Sequence, residues 1–115
     1  MTKEAIAKAF SEGAFEKTYD FISDTAEWTV VEEAVYQGRT AIMEQCEKVS
    51  AYFKTVDTDF KTFHVIDGGS KVVVNGTAEF LRDNNRVSFV AACDIYEFNT
   101  EGEVQYITSY CIQKK

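Results

Sequence analysis

The chain has 115 residues, 45% of them hydrophobic, with 19 acidic against 12 basic side chains and a net charge of -7. That length fits one domain, residues 1–115, and that apolar content is enough for a packed core, which excludes a disordered chain. The acidic balance repels phosphate backbones and anionic bilayers, so neither nucleic acid nor a membrane is an expected partner.

The first third reads as helical. Thr2 can cap, and Ile6, Ala9, Phe10 and Ala14 recur at helical spacing. Gly13 divides the segment into helices near 3–12 and 14–22, and Ser23-Asp24-Thr25 reads as a turn. Trp28-Thr29-Val30-Val31 is aromatic and β-branched, which predicts a strand over 26–33. Tyr36-Gln37-Gly38 reads as a turn. A third helix is expected near 39–54, with Ile42, Cys46, Val49 and Phe53 on one stripe. From residue 60 the period changes to two, predicting strands at 60–67, 70–83, 86–98 and 103–113.

Gly68-Gly69 and Asn84-Asn85 suit two-residue hairpin turns, because Gly and Asn tolerate positive φ. Asn99–Gly102 suits a four-residue loop. These turns predict a register: Thr62 opposite Asn75, Asn75 opposite Asp94, Glu79 opposite Val90, and Asp94 opposite Ile107. One sheet face then carries Val72, Val74, Phe80, Phe89, Ile95, Tyr106, Tyr110 and Ile112, and is almost wholly apolar. The other mixes Phe60, Val73, Val90 and Ile107 with Thr62, His64, Asn75, Thr77, Glu79, Asp94, Tyr96 and Ser109. The helices can cover only one of the two. If they cover the mixed face, its polar groups line a pocket and the apolar face needs a second copy of the chain. If they cover the apolar face, the polar groups meet water.

Three segments carry a resemblance. One is the helical start with its glycine break (Glu12-Gly13-Ala14-Phe15), leading into the strand with Trp28. Another is Tyr36-Gln37-Gly38-Arg39-Thr40-Ala41-Ile42. The third is the closing hairpin, Cys93-Asp94-Ile95-Tyr96-Glu97-Phe98 followed by Val104-Gln105-Tyr106-Ile107. Together they resemble the nuclear transport factor 2-like superfamily, in its SnoaL-like and ketosteroid-isomerase-like branches. The resemblance implies an α+β, cone-shaped, cystatin-like fold, with three N-terminal helices packed on a curved antiparallel sheet. It also implies that the mixed face lines a pocket and that the outer face forms a homodimer. In the ketosteroid isomerases an acid stands on the strand before the last loop, where this chain has Asp94. Their helix tyrosine corresponds to Ile6, and their general base to Val30 or, after a two-residue slip, Glu32.

Asp94 is the leading candidate for chemistry. Aspartate is depleted in strands, and burial would raise its pKa and make it a proton donor. His64, the sole histidine, titrates near neutral pH and suits proton transfer at the same ligand. Trp28, Glu32, Asn75, Thr77, Glu79, Tyr96, Ile107 and Ser109 are the candidate ligand-binding residues. Cys46, Cys93 and Cys111 are odd in number and lack a CxxC spacing. They read as structural thiols in a reducing, cytoplasmic compartment, with no metal and no cofactor expected. The start, Met1-Thr2-Lys3-Glu4, does not read as a signal peptide, and no apolar run reaches the ~18 residues of a membrane span. The expected function is a small-molecule pocket, either an acid–base isomerase, cyclase or dehydratase for an apolar cyclic substrate, or a non-catalytic dimeric binding module.

Overall fold

A computed structural model describes residues 1–114. Helix α1 spans Lys3–Ser11, with the Thr2 hydroxyl accepting from the Ala5 amide at 3.1 Å. That bond satisfies one of the open donors of the first turn. Ile6, Ala7 and Phe10, one turn apart, form its buried face. Gly13, at φ 81°, ends this segment, and a 3-10 helix follows at Phe15–Phe21. Strand β1 is Ile22–Val30 and β2 is Ala34–Gln37; Glu32 turns the chain between them at φ 69°. Gly38, at φ 87°, leads into α2, Arg39–Phe53, which buries Ile42 and Cys46. Strands β3 (Asp57–Asp67), β4 (Lys71–Arg82), β5 (Asn85–Phe98) and β6 (Val104–Gln113) complete the chain.

The six strands form one sheet in the order β2-β1-β6-β5-β4-β3. The expected hairpins therefore stand as neighbours, and the architecture is α+β with helices on one sheet face. Four details differ from expectation. Ser23-Asp24-Thr25, expected as a turn, lies within strand β1. The middle helix is a short 3-10 segment rather than a full helix. A turn expected at Tyr36-Gln37 is instead strand, pairing Trp28 with Tyr36. The sheet is mixed, because β1 runs parallel to β6 and joins the N-terminal half to the meander. No helix among the described residues is long and apolar enough to cross a membrane.

The register decides which side chains meet the helices. Arg82 pairs with Asn85, so the left-handed turn residues are Asp83 (φ 53°) and Asn84 (φ 67°), one position earlier than the Asn84-Asn85 reading. Aspartate, like asparagine, tolerates that conformation. This change alone moves pairs by two and preserves the faces. A bulge between Phe80 and Leu81 then adds a single-residue shift. An odd shift exchanges faces. Asn75 consequently pairs with Cys93, and Asp94 with Val74. A second bulge, between Thr62 and His64, separates those two residues in the same way. The β5–β6 pairing differs from expectation by two, so Asp94, opposite Ser109 instead of Ile107, keeps its face.

The helix-covered face therefore carries Val72, Val74 and Phe80 from β4, together with Asp94, Tyr96, Phe98, Ile107 and Trp28. Four β4 side chains expected outside, Val72, Val74, Ala78 and Phe80, belong inside. Phe10 is the hub of the core, meeting Phe15, Trp28 and Tyr96 edge-on with centroids 5.0, 5.1 and 5.9 Å away. Such edge-to-face pairs add to area burial.

Candidate functional site

Asp94 sits mid-strand on β5, beneath the C-terminal turn of α1, and is 9% exposed. Ser11, the last residue of α1, donates its hydroxyl to Asp94 Oδ2 at 2.8 Å. The same Ser11 oxygen lies 2.6 Å from the Tyr96 hydroxyl. On the other side, Ser109 stands opposite Asp94 across the β5–β6 ladder, and its hydroxyl holds the carboxyl pKa down. Trp28 Nε1 donates to Ser109 Oγ at 3.0 Å. Burial pushes the Asp94 carboxyl above its ordinary range, and the bonds from Ser109 and Ser11 offset only part of that effect. Desolvation disfavours the charged form and so shifts the carboxyl toward its protonated state. Tyr96 is fully buried, and desolvation, with Asp94 beside it, holds its hydroxyl neutral as well.

Asp94 borders a half-open cavity of about 50 Å³, lined by Ser11 at the end of α1, Glu12 just after it, Phe60 and Thr62 of β3, Gly76 of β4 and Ala92 of β5. Glu12 is a second carboxylate on that cavity. Its Oε2 accepts from Thr62 Oγ1 at 2.7 Å, and Lys8 lies 4.0 Å away. Gly76 lets β3 and β4 close against each other here, since a Cβ at that position would stand 2.1 Å from the Lys61 carbonyl oxygen. The site thus holds two carboxyl groups in contrasting surroundings, one buried among hydroxyls and one at the cavity rim. Such pairs are the usual material of acid–base chemistry.

Of the residues singled out from sequence, the fold brings Asp94, Tyr96, Ser109, Trp28 and Ile107 together on one face. It does not bring His64 there. His64 is exposed on the outer face, with Nδ1 2.9 Å from Asn75 Oδ1. The bulge after Thr62 turns it outward. Asn75 and Thr77 follow the exchanged register of β4: they border the cavity only at its wall and face the outer groove beside His64. Glu79 lies on the outer side and accepts a hydrogen bond from Arg86 Nε at 2.8 Å. Glu32 is an exposed turn residue. Ile6 is core, packed at 2% exposure. Ser11, Glu12 and Thr62 are the site residues that sequence reasoning missed. Glu12, four residues after Lys8 and just before the Gly13 break, reads in sequence as an ordinary solvated helix end.

Two α-helices and a 3-10 helix laid over one face of a mixed sheet, with a small cavity between them, define the cone of the nuclear transport factor 2-like proteins. The model of the SnoaL-like domain matches residues 3–107, and the chain belongs to that family. Among solved structures, it is similar to a nuclear transport factor 2-like protein of unknown function from Cytophaga hutchinsonii. The two share 30% identity over 94% of each chain, with a TM-score of 0.84. An epoxide hydrolase of M. tuberculosis, described as LEH-like, is 16% identical, with 96% of this chain and 84% of that one covered and a TM-score of 0.67. The epoxide hydrolase/cyclase-like enzyme SalBIII, of pyran ring formation in salinomycin, is 22% identical over 96% of this chain and 90% of its own, at a TM-score of 0.68. These last two likenesses show the shared fold. No curated protein matches the sequence.

Proposed function

We propose that the Asp94 cavity is the polar end of a small-molecule site, where Asp94 acts as a general acid and Glu12 as its carboxylate partner. The observation that carries this reading is the buried, protonation-favouring carboxyl of Asp94, held by Ser11 and Ser109 at the edge of a cavity that Glu12 also borders. A ligand oxygen seated there, from an epoxide, carbonyl or hydroxyl, receives the Asp94 proton as its bond to carbon breaks or polarises. Glu12 takes a proton from the attacking water or hydroxyl, or from the adjacent C–H, so no net proton is consumed. Ring opening, cyclisation, isomerisation and dehydration all fit that exchange. The epoxide hydrolase of M. tuberculosis and the epoxide hydrolase/cyclase-like SalBIII carry out chemistry of this class, and they support it here by analogy of fold.

The test is the conversion of cyclohexene oxide and styrene oxide to diols in ¹⁸O-water, followed by mass spectrometry. Wild type should exceed the background, and Asp94→Asn and Glu12→Gln should each lose about 100-fold or more, the range of a missing acid or base. Equal rates in all three would remove the acid–base role. A second reading, a non-catalytic binding module, is favoured by the volume of the cavity. At about 50 Å³ it takes one or two atoms' worth of polar handle and no ring. Saturable binding of either epoxide with no turnover in wild type would select it. In both readings the apolar outer sheet face is proposed as a homodimer surface.

A further inference from the structure

A second hollow lies directly behind this cavity. It measures about 350 Å³ and opens between the 3-10 helix and the end of α2, with Phe15 and Phe53 as its apolar surfaces and Lys17 and Lys54 at its rim. Its size falls in the range of small-ligand sites, whereas the Asp94 cavity is far below it. The partition between them is aromatic. Phe60 borders the cavity and Phe53 borders the groove, with their rings edge-to-face at 5.6 Å. The backbone runs across the same partition, Ser11 and Glu12 on the cavity side and Gly13, Ala14 and Phe15 on the groove side. Gly13 is what leaves room for the Phe53 ring: a Cβ there would lie 2.7 Å from Phe53 Cε2. Phe53, the last residue of α2, is half-buried, with its ring packed on Phe15, Phe60 and Phe80 at centroid distances of 6.4, 5.6 and 5.8 Å.

The rim has a chemical preference. In a chain of net charge -7, the ammonium groups of Lys17 and Lys54 have no carboxylate within ion-pair distance among the described residues. Glu16 is the sole acid bordering the groove. We infer that this groove is the outer half of the Asp94 site, resting on the reading above, and that it takes an amphipathic carboxylate. The apolar ring or chain lies on Phe15 and Phe53, and the carboxylate meets Lys17 and Lys54. The other end of the ligand reaches Asp94 once Phe53 swings aside.

The experiment is amide and aromatic NMR titration of the wild-type chain with cyclohexanecarboxylate, beside cyclohexylmethanol as the uncharged counterpart. The carboxylate should bind more tightly and shift Gly13, Ala14, Lys54 and the Phe53 ring, with smaller shifts at Ser11. The Lys17→Gln/Lys54→Gln pair should weaken it about five- to tenfold, as two exposed charge contacts would, and leave the alcohol unchanged. Equal affinity for acid and alcohol overturns the ligand class. Shifts confined to the outer sheet face, or no binding, overturn the groove. Shifts in the groove with none at Ser11 overturn its link to the cavity. Failure of the epoxide assay with this binding intact removes the acid–base reading alone, and loss of this binding with the assay intact removes the groove alone.

Discussion

Asp94 is a costly residue for the fold, and that cost has a measurable sign. Its pKa in the folded protein lies above the ordinary value of 3.8, chiefly through desolvation. A group whose folded pKa is raised contributes stability that is fully present below its unfolded pKa and lost as pH rises through the folded one. Wild type should therefore lose stability relative to Asp94→Asn as the pH climbs from about 4 through the folded-state value. Urea unfolding of both proteins across that interval measures it; a constant difference between them would mean that folding leaves the Asp94 pKa unchanged. The face shared by Asp94, Tyr96, Ser109, Trp28 and Ile107 was legible from sequence, because the error in the β5–β6 register was even, but of these only Asp94 borders the cavity and the others are packed around it. Two bulges, which leave no mark in a pattern of alternating side chains, turn His64 and Glu79 outward and leave Asn75 and Thr77 bordering both the cavity and the outer groove. Ser11 and Glu12 escaped because a polar helix end looks the same whether it faces water or a cavity.

At the level of elements, the β3–β4 pairing is the least forgiving part of the site. Gly76 packs so closely on Lys61 that a methyl group would overlap its carbonyl oxygen. The contact is with backbone, so no side-chain rotation can relieve it. Gly76→Ala should cost about 3 kcal/mol, in the range of severe overpacking. A lowered urea midpoint with loss of amide protection in residues 57–62 would report it, and an unchanged midpoint would mean that the strands separate there at little cost. Strand positions and helix stripes were readable because they rest on local periodicity. The parallel β1–β6 pairing was not, since it joins segments far apart in sequence, and β2 was hidden because its four residues run into the Gly38 turn.

For the whole molecule, the unresolved demand is the outer sheet face. Phe63 is 58% exposed, Ile112 is 72% exposed, and Ile66, Tyr106 and Tyr110 lie on the same face about half exposed. A groove of about 400 Å³ runs among them. Soluble monomers rarely leave apolar patches beyond several hundred Å² uncovered. A two-fold pairing buries a self-complementary patch on both copies at once. Sedimentation velocity at low micromolar concentration should show a dimer, and Phe89→Lys or Ile112→Lys should shift it to monomer. A clean wild-type monomer would mean that this face is left to water or to another partner.

The indole of Trp28 has one further consequence. A tryptophan N–H can only give a hydrogen, so its 3.0 Å bond fixes Ser109 as the acceptor at that end. The serine's own hydrogen is then free to turn toward Asp94, and the indole acts as a latch on that rotor without touching the carboxyl. Trp28→Phe keeps the ring and releases the latch. The Ser109 hydrogen can swing away, and Asp94 loses a donor that had been holding its pKa down. Carbon-detected titration of Asp94 should show its pKa higher still in Trp28→Phe than in wild type. The same value in both proteins would mean that the serine orients itself unaided.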